Sequence, residues 1–197
     1  MKTLFIGTNN LHKFEEIKDI LNRNDVHFNL LCAKDYPDND EPYEDGKTFE
    51  ENAIIKAKFY YDKYHLPCIG EDSGICIEYL NNLPGIHSKR FLYNLDNESK
   101  NNKVLDLLKN VKNRKACFAT SLCYIDENGN IHIFEGINYG EISYSQKGDK
   151  GFGYDPIFLI PEFGKTEAEL GQEYKNENSH RAKAFSKFAE YIKNEEN

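Results

Sequence analysis

Three sets of residues in this chain have the types and spacing to do chemistry. The densest is Gly148 to Phe158, GDKGFGYDPIF. Gly148, Gly151 and Gly153 fall within six positions, Phe152 and Tyr154 flank Gly153, and an Asp155-Pro156 step follows at once. A core strand does not tolerate that much glycine, which costs backbone entropy and packs nothing. A plain surface loop does not usually spend a Phe and a Tyr. Glycines that let backbone approach a ligand, an aromatic face and one carboxylate suggest a pocket for a flat, polar ring.

The second set is Glu71-Asp72-Ser73-Gly74, between the apolar runs Pro67 to Gly70 and Ile75 to Leu80. Adjacent carboxylates at a strand end repel unless a cation or a protein donor compensates them, and Gly74 permits a sharp bend. Asp72 could hold Mg²⁺ or activate a water, and Ser73 could hydrogen-bond a phosphate. A turn carrying solvated acids accounts for the same residues. The acidic run from Asp38 to Asp45 adds Glu41, Glu44 and Asp45 as candidate second ligands.

The third set is cationic. Thr8-Asn9-Asn10 with Lys13 follows the first strand and opens a helix. A helix N-terminus offers free N–H groups and the positive end of the dipole, so this is either an anion site or an ordinary polar turn with a solvated lysine. No GxxxxGK[ST] occurs, so it is not a P-loop. Lys175, His180 and Arg181 cluster near the C-terminus. Ser179 is expected to cap the last helix, which puts Arg181 in its first turn. That is unfavourable with the dipole unless the helix start faces an anion or a ring oxygen.

The elements that must position these sets are legible as α/β. Lys2 to Ile6 reads as a strand, Lys13 to Arg23 as an amphipathic helix, and Val26 to Cys32 as a second strand. Asp35 to Lys47 is an acidic loop. Thr48-Phe49-Glu50-Glu51 fits a capping box opening a helix to about Lys63, with Phe49, Ala53, Ile54 and Ala57 inward. The Phe59-Tyr60-Tyr61-Tyr64 stripe on it reads as packing. A turn at 83–86 precedes an amphipathic helix at 97–112. Two long strands, 115–125 and 131–144, form a hairpin through Asp126 to Asn130. A short strand at 157–160, a helix opened by Thr166 and the last helix from Ser179 to about Lys193 complete the chain.

Composition bounds the function. The chain has 197 residues, 39% hydrophobic and 13% aromatic, enough for a real core. Its net charge is 25 − 33 = −8, so it is a poor non-specific binder of nucleic acid or anionic membrane. A polyanionic ligand must meet a local cation cluster, with a metal. Five cysteines without a CxxC, and no His pair at ligand spacing, fit buried free thiols in a reducing compartment rather than a zinc site. No apolar run approaches the ~20 residues of a membrane helix. The N-terminus leads straight into a strand without a signal peptide. A cytoplasmic protein is expected.

ThrAsnAsn…Lys13, EDSG, LPGI, GFGYDP and Lys175…SerHisArg stand in the order and spacing of one family. The chain resembles the inosine triphosphate pyrophosphatases, from Thr8 to Arg181. One departure is Asn9, where the family usually has Gly; Asn is the next-best residue at positive φ.

The resemblance implies one domain over 1–197, a long mixed sheet with flanking helices, in two lobes around a central active-site cleft, usually as a homodimer. It implies hydrolysis of ITP, dITP and XTP to the monophosphate and pyrophosphate, with Mg²⁺ or Mn²⁺. Thr8, Asn9, Asn10, Lys13 and Lys56 would meet the triphosphate. Glu44 and Asp72 would hold the metal, Asp72 would act as base with Ser73 beside it, and Lys13 would assist catalysis. Phe152 would stack on the purine, with Gly153, Tyr154 and Asp155 completing its pocket. Lys175, His180 and Arg181 would reach the base and sugar. A pyrophosphatase for pyrimidine or modified nucleotides, or a non-catalytic nucleotide-binding module, are the competing readings.

Overall fold

In the computed structural model, residues 2–36 and 40–195 are described. Asp38 of the acidic run and Pro37 of its loop lie outside them. The chain is α/β with a mixed sheet flanked by helices, as its pattern requires. Its elements are β1 (Thr3–Ile6), α1 (Leu11–Arg23), β2 (Asn29–Cys32), α2 (Phe49–Tyr64), β3 (Cys68–Ile77), β4 (Leu83–Pro84), α3 (Asn97–Leu107), β5 (Lys115–Ile125), β6 (Ile131–Ile142), β7 (Phe158–Ile160), β8 (Lys165–Thr166), α4 (Glu167–Leu170), α5 (Gln172–Asn178) and α6 (His180–Glu195). The strand order is β2-β1-β3-β5-β6-β7-β8, with β4 paired to β3. The chain divides into two compact units. Unit one is Met1–Asp72, Thr120–Gly136 and His180–Asn197; unit two is Ser73–Ala119 and Ile137–Ser179.

Unit one is a three-layer sandwich, and period-2 alternation builds it. Leu4 and Ile6 of β1, Ile69 of β3, and Leu122 and Tyr124 of β5 pack with Ile17 and Ile20 of α1 and Phe185 and Phe188 of α6. The intervening residues Phe5, Cys68, Cys123 and Ile125 pack with Ala53, Ala57 and Tyr60 of α2. β1 pairs in parallel with β2 and with β3, so α1 and α2 are the crossovers that parallel pairing requires. β1, covered on both faces, is apolar from Leu4 to Ile6. In unit two, Ile75 and Ile77 of β3, Phe118 of β5, Ile142 of β6 and Phe158 of β7 bury against Val104 of α3 and Leu108, which caps it.

The sequence pattern expects two strands broken by a turn at EDSG. The structure has one ten-residue strand instead, β3, with Glu71 and Asp72 in its middle. Glycine misleads here because Gly70 and Gly74 serve close approach rather than bending. A Cβ on Gly70 would run into the backbone of Ala53 and Ala57 on α2, and one on Gly74 into Gly85 and Ser88. Two further expectations change. The Thr48 hydroxyl accepts from the Glu51 N–H, but the Glu51 carboxylate takes the N–H of Lys47, so the capping box is half formed. The polar helix α5, between Gly171 at φ 82° and Ser179, had no apolar periodicity to betray it.

Gly70→Ala therefore forces α2 away from β3. Urea unfolding should show a loss of about 1–3 kcal/mol, typical of an overpacked core. A variant as stable as the parent would mean that this helix has room to spare.

Candidate active site

Strand alternation sends the two acids of β3 to opposite faces. Glu71 lies on the α1/α6 side with Ile69, and Asp72 on the α2 side with Cys68. Glu71 is 6% exposed and accepts three charge-assisted or hydroxyl bonds. Lys13 Nζ donates to Oε2 at 2.9 Å, and Thr120 Oγ1 and Arg181 Nη2 donate to Oε1 at 2.8 and 2.9 Å. Arg181 Nη1 donates to Glu16 Oε2 at 2.5 Å. Two buried carboxylates thus meet two cations, and no net charge is left on that face. Burial opposes ionisation of Glu71, but Arg181 and Lys13 outweigh it and hold its carboxyl well below the ordinary range. Burial holds the Lys13 ammonium below its ordinary range, Arg181 and Lys56 add to this, and Glu71 opposes it. Burial also opposes the charge of Arg181, yet Glu71 and Glu16 raise it overall.

On the other face, Asn52 and Lys56 stand four residues apart on α2 and so share one side of it. Asn52 Nδ2 donates to Asp72 Oδ2 at 2.9 Å, and its Oδ1 accepts from the Gly46 N–H at 2.9 Å. One buried amide therefore fixes both Asp72 and the loop that carries Glu44. Lys56 Nζ donates to the Glu71 carbonyl at 2.9 Å and lies 3.1 Å from Glu44 Oε2 and 3.6 Å from Asp72 Oδ1. Burial raises the Asp72 carboxyl, against the pull of Lys56 and Asn52. Two carboxylates facing one cation are the hard-oxygen set that Mg²⁺ takes together with phosphate and water, so the donors fit that metal. Among the described residues no group of three or more His, Cys, Asp or Glu could hold a metal ion, so substrate oxygens would have to complete the shell.

The turn before α1 is built from its own side chains. Asn10 caps the helix, its Oδ1 accepting from the N–H groups of His12 and Lys13 at 3.0 and 3.3 Å. Those two amides are therefore already engaged, and the cation here is the Lys13 side chain, itself paired with Glu71. Thr8 Oγ1 accepts from the Asn10 N–H at 3.1 Å. Asn9 is not among the residues with positive φ, so the left-handed turn anticipated there is absent. Its Nδ2 donates instead to Glu41 Oε1 at 3.1 Å, tying the turn to the acidic loop.

In unit two, Gly148, Gly151 and Gly153 all have positive φ, 81°, 81° and 62°. Only glycine adopts these angles without strain, which is why the segment holds three. Asp155 is 4% exposed; its Oδ2 accepts from the Phe152 N–H at 2.8 Å and from Lys175 Nζ at 2.7 Å. Lys175 Nζ also stands 4.6 Å from the centroid of the half-buried Phe152 ring. The Tyr154 hydroxyl donates to the Ser88 carbonyl at 3.1 Å. A Cβ added at Gly153 would meet nothing within 4 Å, so backbone lies open there.

The residues singled out in the sequence thus fall into two groups. Thr8, Asn9, Asn10, Lys13, Glu44, Lys56, Asp72, His180 and Arg181 belong to unit one, and Ser73, Phe152, Gly153, Tyr154, Asp155 and Lys175 to unit two. The apparent cluster of Lys175, His180 and Arg181 divides accordingly. The anion faced by the start of α6 is the protein's own Glu16–Glu71 pair, and Arg181, 1% exposed, is committed to it. Glu16, Asn52 and Thr120 went unremarked in the sequence. Asn52 carried a signal, a polar residue beside Ala53 on an inward face; Glu16 and Thr120 carried none.

The Ham1 family model matches residues 4–191. A dITP/XTP pyrophosphatase of Borreliella burgdorferi is 45% identical over 98% of this chain and 96% of its own length. One of Clostridium perfringens is 41% identical over 98% of both chains. The solved Ham1 protein of Staphylococcus aureus superposes with a TM-score of 0.87 at 33% identity, covering 98% of this chain and 100% of that one. That of Coxiella burnetii gives 0.89 at 32% identity, with the same coverage.

Glu71→Gln removes the anion that Lys13 and Arg181 share. Breaking a buried pair from one side costs about 3–5 kcal/mol, which urea unfolding at pH 7 should register. The folded Glu71 carboxyl lies well below its unfolded value of roughly 4.3. Its contribution is whole above that pH and is lost as the pH falls through the folded value. Stability should therefore fall less steeply in acid for Glu71→Gln than for the parent. Parallel pH profiles would contradict this.

Proposed function

The chain belongs to the Ham1 family, and on that premise we propose that it hydrolyses dITP, XTP and ITP to the monophosphate and pyrophosphate, clearing non-standard purines from the nucleotide pool. The observation that carries the reading is the meeting of Glu44, Lys56 and Asp72 beside β3. Water attacks the α-phosphorus, a P–O bond to the water oxygen forms, the bond from that phosphorus to the bridging oxygen breaks, and pyrophosphate departs. Asp72 orients the water and accepts its proton. Lys13 and Lys56 offset charge on the departing pyrophosphate; the work is positioning and electrostatics, as in phosphoryl transfer generally. Glu44 and Asp72 would hold Mg²⁺ (or Mn²⁺), which would supply further charge neutralisation. Thr8 and the Asn9-Asn10 turn line the phosphate end, with Ser73 following Asp72.

Phe152 stacks on the purine, and Asp155 fixes both the Phe152 backbone and Lys175 around it. With Arg181 committed to Glu16 and Glu71, the donor to a 6-oxo group falls to Lys175 or to backbone N–H groups of the loop. Adenine would set its amino group against a donor, an unpaired polar contact of about 1–3 kcal/mol. We place the protein in the cytoplasm as a homodimer. No described helix is long and apolar enough to cross a membrane, and the acidic net charge disfavours nucleic acid.

Pyrophosphate release from ITP, dITP and XTP should exceed that from ATP, GTP, dTTP and UTP by at least roughly tenfold in kcat/KM, and chelation with EDTA should abolish it. Equal rates on ATP and ITP would sink the selectivity. Asp72→Asn should lower kcat by roughly 100-fold or more; a fully active variant removes Asp72 as the base. Phe152→Ala should raise KM for ITP by about five- to 150-fold, the range of a lost base stack.

A further inference from the structure

Helix α3 buries Asn101 and Val104 on one face, and Leu108, which caps it, continues the same core stripe. Asn101 is 1% exposed and occupies a position that the stripe reserves for a hydrophobe. Its Nδ2 donates to the Gly153 carbonyl at 3.0 Å and to Gln146 Oε1 at 3.2 Å. Gln146 Nε2 donates in turn to the Glu98 carbonyl at 3.1 Å and to Asn102 Oδ1 at 2.8 Å. Two main-chain carbonyls, those of Glu98 and Gly153, thus fix the orientation of both amides, since each can only accept. Asn101 Oδ1 is buried without a hydrogen-bond partner among the described residues. For stability alone, Leu would serve better than an amide with an orphaned acceptor. The orphan indicates that the donated bonds matter for something else.

What they hold is the peptide between Gly153 and Tyr154. The only cis bond among the described residues is Leu83-Pro84, so this peptide is trans and its N–H points opposite its carbonyl. The carbonyl is drawn toward Asn101, and the Tyr154 N–H is therefore turned away from α3. That N–H has no hydrogen-bond partner among the described residues. It sits next to the open backbone of Gly153 and two residues along the chain from Phe152.

We propose that Asn101 is a positioning residue for purine selection: by holding the Gly153 carbonyl it offers the Tyr154 N–H as a fixed donor to the oxo group of the bound base. This rests on the reading of the loop as the purine subsite. Asn101 touches no substrate; it acts through one peptide plane. Gln146 shares the task by bracing Asn101 from the other side.

The test compares kcat and KM of the intact protein and of Asn101→Leu for ITP and ATP, together with inhibition by pyrophosphate alone. Asn101→Leu should keep its melting temperature, keep its pyrophosphate inhibition constant within twofold, and keep kcat within about threefold. Its KM for ITP should rise about tenfold and its preference for ITP over ATP should fall by the same factor, equivalent to about 1.4 kcal/mol. Gln146→Leu, at a half-buried position, should lose about threefold of that preference and decides the matter if Asn101→Leu is insoluble. An undiminished preference in the soluble variants, or equal losses on ITP, ATP and pyrophosphate, overturns the proposal. A parent protein with no preference for ITP would instead overturn the purine reading itself, before any variant is made.

Discussion

Two carboxylates stand side by side in the middle of a buried strand, and most of unit one is arranged around that fact. Isolated buried charges are prohibitively expensive, so each acid needs partners on its own face. Pleating separates Glu71 from Asp72 and gives them different neighbours. Glu71 receives Lys13 from α1, Thr120 from β5 and Arg181 from α6, so three elements distant in sequence are held by one side chain. Asp72 receives a single neutral amide and a lysine at 3.6 Å. The first acid is saturated and held ionised. The second has fewer partners and a raised carboxyl. Two carboxyls in adjacent positions are divided in this way into one that is fully compensated and one that is less so.

Unit two repeats the logic with one pair. Asp155 and Lys175 are almost wholly buried and satisfy each other, and the spare capacity of each fixes the same residue. Asp155 takes the Phe152 N–H, while Lys175 lies over the Phe152 ring. A glycine-rich loop, the most pliable backbone available, is thereby pinned to one geometry. Asn101 pins its far end. Pliable residues are needed for the left-handed angles, and the buried polar anchors are needed because those residues are pliable.

Much of this was legible in the sequence and some was not, for physical reasons. Gly148, Gly151 and Gly153 announced a special backbone because only glycine takes those angles cheaply, and all three do. The strand-turn-helix at Thr8 to Lys13 and the Thr166 cap were readable from local rules. The strand through EDSG was misread because glycine needed for close packing looks the same as glycine needed for a bend. Helix α5 was invisible because it has no apolar period, although it carries Lys175. The partners of Glu71 were hidden differently: Glu71 and Arg181 are 110 residues apart, and no local pattern couples them. The pairing of Arg181 with Glu71 shows the same limitation, since motif spacing gives neighbours along the chain and not through space.

The role proposed for Asp72 turns on which phosphorus the water attacks. Turnover of ITP in ¹⁸O-labelled water, followed by mass spectrometry of both products, reads this directly. The account predicts one labelled oxygen in the inosine monophosphate and none in the pyrophosphate. Label in the pyrophosphate would place the attack at the β-phosphorus and contradict the assignment of Asp72.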